Sequence, residues 1–213
     1  SRKSLRVYLI NPRFEYKHYA AQLEMSELLG KRRMTFPIQL SVLASLTPPH
    51  IDVRIIDDEC EPLPFAPRPD LVGITAVSAT MGRVREISSL YRSRGIPVVV
   101  GGVSPTIRPE EVLRDADYVI RGEAEGGWAS FLEAFEQGNA PRITESPESP
   151  PFEQSATPRW ELLDPQGTMT ISVETSRGCS FDCDFCVVSR IFGRTMRFRD
   201  IDDVVREIES SPV

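Results

Sequence analysis

Cys179, Cys183 and Cys186 stand at C-x3-C-x2-C spacing within eight positions, just after a strand-like run. Three thiolates on one short loop can hold three irons of a [4Fe–4S] cube and leave the fourth iron open, whereas electron-transfer clusters ordinarily use four cysteines. An open iron suits a cluster that must bind and cleave a small molecule. Other chemistries compete for these residues. A structural zinc site takes four ligands, commonly paired C-x2-C units or histidines, and this chain has only His18 and His50, both distant in sequence. A disulfide framework belongs to oxidising compartments and small, cysteine-dense chains. Four cysteines in 213 residues do not fit that pattern. The remaining alternative is a chance cluster of inert buried thiols.

Cys179-x3-Cys183-x2-Cys186 resembles the signature of radical S-adenosylmethionine (SAM) enzymes. The resemblance implies that the three cysteines ligate the cluster and that SAM chelates the open iron. It also implies that Phe185, in the aromatic position before the last cysteine, packs near the SAM adenine. The reaction would begin with reductive cleavage of SAM to a 5′-deoxyadenosyl radical, with flavodoxin or ferredoxin as the reducing partner. The strings Ile171-Ser-Val-Glu-Thr-Ser-Arg-Gly-Cys179 and Phe192-Gly-Arg-Thr-Met-Arg-Phe-Arg199 resemble the branch with an N-terminal cobalamin (B12)-binding domain, which includes hopanoid C-methylases.

The elements that must position this loop divide into three segments: 1–138, a proline-rich linker over 139–167, and 168–213. In the first, strand and helix patterns alternate. Leu5–Asn11, Ile51–Ile56, Asp70–Val77, Ile96–Val100 and Tyr118–Ile120 read as strands. Pro37 opens an apolar helix through Leu46, and Val84, Ile87, Leu90 and Tyr91 mark one face of another. A short helix begins at Pro109, and Trp128, Phe131, Leu132 and Phe135 recur at helical spacing. The expectation is a flavodoxin- or Rossmann-like α/β fold: a parallel five-stranded sheet with helices on both faces.

Ligands of such sheets bind beyond the C-terminal strand ends, where strand order reverses. The loops there carry Asn11-Pro12-Arg13, Ser78-Ala79-Thr80 and Gly101-Gly102-Val103. Small residues let the backbone approach a ligand closely, although a Gly-Gly after a strand also serves as a plain tight turn. Cobalamin-binding domains carry a similar small Ser/Thr-rich loop and Gly-Gly pair. The resemblance therefore implies that Asn11, Pro12, Ser78, Ala79, Thr80, Gly101, Gly102 and Val103 contact cobalamin. Asp117-Tyr-Val-Ile-Arg-Gly122-Glu-Ala-Glu125 matches the same branch, and Glu123 and Glu125 are also explained by the dipole of a following helix. The Asp-x-His-x-x-Gly motif that places a histidine on cobalt is absent, and His18 reads as a loop residue. Cobalamin would then sit with its own base displaced. Cys60 reads as a free thiol without a chemical role. As the one cysteine in this segment, it also argues against the methylthiotransferase group.

In the linker, Trp160, Leu162 and Leu163 read as anchors. After it, Thr168–Val173 reads as a strand and Asp200 as the cap of a helix burying Ile201, Val204, Val205 and Ile208, with Asp203 near a capping-box position. This is one β-loop-α unit, and the resemblance implies that it is the first of a radical SAM partial (βα)6 barrel. The substrate pocket would lie in further units, so the chain reads as a piece of a longer enzyme, inactive alone; the alternatives are that another chain completes the barrel or that the unit folds back on the first segment. Arg190, Arg194, Arg197 and Arg199 form either a solvated face or a binding site for the SAM carboxylate or an anionic substrate.

Net charge is −6, with 25 basic and 31 acidic residues, which does not favour nucleic acid. Hydrophobic residues make up 40% of the chain, enough for a sizeable core. No apolar run spans a membrane and no secretory signal is visible, so a cytoplasmic protein is expected. The reading that unites these features is a cobalamin-dependent radical SAM enzyme, a C-methyltransferase acting on an unactivated carbon of a small-molecule substrate. The alternatives are cyclisation, oxidation or rearrangement within the same architecture, or a non-catalytic Fe–S/cobalamin module.

Overall fold

The computed structural model describes residues 4–15, 25–146, 152, 156–164 and 167–212. His18 lies outside them. Six parallel strands form one sheet: β1 (Arg6–Asn11), β3 (Asp52–Asp57), β4 (Leu71–Thr75), β5 (Val98–Gly101), β6 (Tyr118–Arg121) and β7 (Ile143–Glu145). Their order is β3-β1-β4-β5-β6-β7, so the chain reverses direction across the sheet between β1 and β4.

Parallel strands covered on both faces must be apolar on both, and β1 shows this alternation. Val7 and Leu9 enter one core with Leu40 and Ala44 of α1 (Ile38–Ser45) and Trp128, Phe131 and Leu132 of α5 (Trp128–Glu136). Tyr8 and Ile10 enter the other core, with Val84, Ile87 and Tyr91 of α2 (Met81–Arg92) and with Val112. Val112 ends the short α4 (Pro109–Val112), which follows α3 (Val103–Ile107). Pro37 caps α1 instead of occupying its first turn.

The expected five-stranded sheet therefore has a sixth strand. Ile143–Glu145, inside the stretch read as linker, pairs in parallel with β6 through Val119↔Ile143 and Arg121↔Glu145. Without it β6 would be an open edge with unpaired backbone groups, and β-branched Ile143 and Thr144 suit the position. Among the linker anchors, Trp160 and Leu163 are buried in the first core, with Leu162 packed beside them.

The C-terminal segment leans on this domain. β8 (Thr168–Thr170), shorter than the expected strand, pairs in parallel with β2 (Arg33–Thr35). β9 (Ser176–Arg177) and β10 (Arg197–Phe198) pair antiparallel, and α6 (Val188–Phe192) lies between them in sequence. In α7 (Ile201–Ser210) the Asp200 carboxylate accepts from the Asp202 amide at 2.8 Å, the expected cap, while Asp203 pairs with Arg206 and forms no capping box. The expected buried face is corrected: Ile201, Val205 and Ile208 are exposed, and Glu207 is the buried residue. An ion pair to Arg199, not an apolar stripe, docks this helix.

Candidate functional site

The C-terminal ends of β1, β4, β5 and β6 open into a cavity of about 260 Å³. Leu9, Gly73 and Trp128 form its floor, Gln39, Leu40 and Leu43 of α1 one side, and Gly101, Gly102, Val103 and Thr106 another. Residues of the cysteine segment, namely Glu174, Arg177, Ile191 and Phe192, complete the wall. The cavity is mainly apolar with a polar rim, the usual make-up of a small-molecule site at a topological switch point.

Two of the lining residues are glycines with no room for a side chain. A Cβ on Gly73, in the middle of β4, would lie 2.9 Å from Leu9 Cδ2 and 3.7 Å from the Trp128 ring. Gly102 has φ +113°, and a Cβ there would meet the Ala76 carbonyl oxygen at 2.7 Å. The turn is locked by Ala76 N–H donating to Gly101 O at 2.8 Å and Ser104 N–H donating to Ala76 O at 3.1 Å. Beside it, Ser104 Oγ is buried without a hydrogen-bond partner among the described residues.

Of the residues expected to contact cobalamin, the cavity includes Gly101, Gly102 and Val103 but not Asn11, Pro12, Ser78, Ala79 or Thr80. Asn11 donates to Asp57 at 3.2 Å, and Pro12 is buried. Ser78–Thr80 form a 3-10 turn in which Thr80 Oγ1 bonds Val77. Gly73, Gln39, Leu43 and Trp128 were not singled out as site residues. A lone glycine inside a strand pattern is the signal that could have found the cavity floor.

Cys179 and Cys186 are half-buried, Cys183 is exposed, and all are free thiols. Phe185 is 90% exposed. Among the described residues no three His, Cys, Asp or Glu side chains form a ready-made metal cage. The thiols ride on an open loop fixed at its ends by Cys179 N–H to Gly193 O (3.2 Å) and, internally, by Cys186 N–H to Cys183 O (3.0 Å). Three unpaired thiols on an accessible loop are a chemically suitable donor set for a cluster assembled onto them. His50 instead lies 3.1 Å from Glu136.

The arginines expected to form a solvated face or an anion site are mostly engaged. Arg197 bonds Glu123, Arg199 bonds Glu207, and exposed Arg194 bonds Asp182. Arg177 binds Glu123 (2.5 Å), Glu125 (2.7 Å) and Glu174 (2.7 Å). Burial opposes its charge, but Glu174, Glu125 and Glu123 more than offset this and raise its pKa above the ordinary guanidinium range. Glu123 is thus neither free for a ligand nor merely a helix-dipole partner.

Behind β3, the Asp58 carboxylate receives two bonds from Arg83, both 2.7 Å. Burial acts to raise its pKa, but the bonds from Arg83 and from the Arg13 amide win and lower it. Burial, then the charge of Asp57, pushes the Cys60 thiol up to about 11, in keeping with an unreactive thiol.

Residues 35–132 match the family described as B12 binding domain. The bacteriochlorophyllide d C-8(2)-methyltransferase of Chlorobaculum tepidum is 30% identical over 193 residues, covering 85% of this chain and 42% of that protein. The C-12(1)-methyltransferase of the same organism is 24% identical over 88% of this chain and 42% of its own length. The anaerobic magnesium-protoporphyrin IX monomethyl ester cyclase of Rubrivivax gelatinosus is 29% identical over 67% of this chain and 31% of its own length. The chain spans less than half the length of these relatives.

Proposed function

We propose that this chain, which carries a B12 binding domain, works as part of a cobalamin-dependent radical SAM enzyme that transfers a methyl group to an unactivated carbon of a small molecule. The observation that carries the reading is the cavity at the switch point, walled by the B12-binding sheet on one side and the cysteine segment on the other.

When bound, cobalamin would supply the methyl group, and the cluster with SAM would supply the 5′-deoxyadenosyl radical. Cys179, Cys183 and Cys186 would hold the cluster, and Phe185 would meet the SAM adenine. Gly73 leaves the cavity lining without a side chain at the middle of β4, and the apolar residues Leu40, Val103 and Trp128 would face a bound ligand. Arg190 and Arg194 are exposed on the cysteine segment, Arg194 in an ion pair with Asp182, and Arg190 would be the first to meet an anionic group. Flavodoxin or ferredoxin is the proposed electron donor.

Similarity to the cyclase supports a second reading, cyclisation without methyl transfer on the same cofactors. The relatives' named substrates are tetrapyrroles, so a tetrapyrrole is the first substrate class to test.

The test is anaerobic incubation with hydroxocobalamin, with iron and sulfide reconstitution in parallel, followed by gel filtration. Co-elution of the corrinoid, together with iron that is lost in Cys183→Ala, supports the reading. A folded chain that retains neither overturns it.

A further inference from the structure

Arg177 and Arg197 are register partners across β9 and β10. Residues 178–196, which carry all three motif cysteines, run from one to the other. Glu123 of the sheet domain grips both sides of the neck of this excursion, and Glu125 adds a second hold on Arg177. Arg177 Nη1 donates to Glu123 Oε2 at 2.5 Å, and Arg197 Nη2 donates to Glu123 Oε1 at 2.5 Å. Each carboxylate oxygen thus takes one arginine, and Arg197 Nη1 adds a bond to Oε2 at 3.2 Å. Phe152 stacks against the pair, its ring centroid 4.5 Å from the Arg177 guanidinium carbon and 5.9 Å from that of Arg197.

The Glu123 side chain is 3% exposed, so this is a buried contact that salt screens weakly. Gly122, at φ +92°, turns the chain sharply after β6 and delivers Glu123 to the arginines. Glu123, Arg177 and Phe192 also line the cavity. The same contact that ties the cysteine excursion to the sheet therefore closes one side of the ligand space.

We propose that Glu123 is a positioning residue, a clamp that through Arg177 and Arg197 holds residues 178–196 against the cavity and so slows the escape of its ligand. The inference rests on the reading of this cavity as the cobalamin site. Arg177 keeps Glu125 and Glu174, but Glu123 is the carboxylate that joins Arg177 to Arg197, and breaking a buried ion pair is destabilising, so neutralising Glu123 should favour the open arrangement.

The test uses the 213-residue chain, loaded anaerobically with hydroxocobalamin, and its Glu123→Gln, Glu123→Asp and Arg177→Met variants. Corrinoid release after dilution is read from the visible spectrum, and backbone amide exchange is read in parallel. Glu123→Gln and Arg177→Met are expected to release the corrinoid about tenfold faster or more. Amide exchange at 178–196 should rise while β4 and β5 stay protected, and Glu123→Asp should stay close to wild type. Wild-type release and exchange in both Glu123→Gln and Arg177→Met, with the sheet protected, overturn the clamp. A wild-type chain that retains no corrinoid refutes the cofactor reading alone. Exchange at 178–196 in Glu123→Gln then decides the clamp: faster supports it, unchanged overturns it. Should Glu123→Gln also lose protection in β4 and β5, Arg177→Met against Glu123→Asp decides on the same readings.

Discussion

Arg199 and Glu207 lie 2.6 Å apart, and each side chain is only 2% exposed. Arg199 Nη1 also donates to the Glu174 carbonyl at 3.0 Å. One buried ion pair thereby ties α7 to the segment that leads into the cysteine loop, while Ile201, Val205 and Ile208 of the helix face outward.

Breaking this pair should release the C-terminal segment without unfolding the sheet. Removing one partner of a buried ion pair costs about 3–5 kcal/mol. Glu207→Gln is expected to raise amide exchange across residues 199–210 while β1, β4 and β5 keep their protection. Uniform loss of protection over the whole chain would show that the pair is not a local dock.

Gly73 and Gly102 should respond differently to alanine. At Gly73 the new methyl meets the free end of Leu9, which can shift, so Gly73→Ala should cost about 1–2 kcal/mol. Its main effect should be weaker hydroxocobalamin binding, because the methyl fills the cavity floor. At Gly102 the methyl meets backbone at 2.7 Å under a positive φ that only glycine adopts easily. Gly102→Ala is expected to cost about 3 kcal/mol or more. Urea denaturation with a binding titration on each variant separates the two effects, and equal losses of stability would contradict the geometry.

The alternating apolar runs made the parallel sheet legible, since Val7 and Leu9 against Tyr8 and Ile10 fit a strand covered on both faces. The glycine turn at Gly101-Gly102 was legible for the same local reason. β7 was not, because three residues among prolines carry too little pattern, and its pairing is fixed by the open edge of β6. Nor was the role of Glu123: burial of a carboxylate depends on arginines 54 and 74 residues away in sequence, which no local pattern encodes. The amphipathic pattern of Ile201, Val204, Val205 and Ile208 identified the helix but not which side it docks.

Cys60 should be a slow thiol. Burial and Asp57 hold its pKa up at about 11, and its Sγ donates to the Arg32 carbonyl at 3.3 Å. Alkylation at neutral pH is expected to label exposed Cys183 well before Cys60, measured by mass spectrometry of timed digests. Unfolding would return the thiol toward the ordinary value of about 8.5. The folded state then binds the extra proton between that value and about 11, so the thiol's contribution to stability falls as pH rises through this window. Cys60→Ser should flatten that alkaline slope, and an unchanged slope would refute the assignment.

Asp58 should act in the opposite sense at acid pH. Burial alone would raise its pKa, but the paired bonds from Arg83 and the Arg13 amide bring it below the usual carboxylate range. Through that range the unfolded chain binds more protons than the folded one, so stability rises with pH and is lost as pH falls through the folded value. Arg83→Met leaves the buried carboxylate with only Arg13, through its amide and its charge, to oppose desolvation. The variant should be destabilised by about 3 kcal/mol or more at neutral pH and should lose less stability than wild type on going from about pH 7 to about pH 3, across the carboxylate range. Urea midpoints of both proteins at the two pH values test this. Parallel acid losses in wild type and Arg83→Met would mean that Asp58 draws its low pKa from elsewhere in the β3 loop.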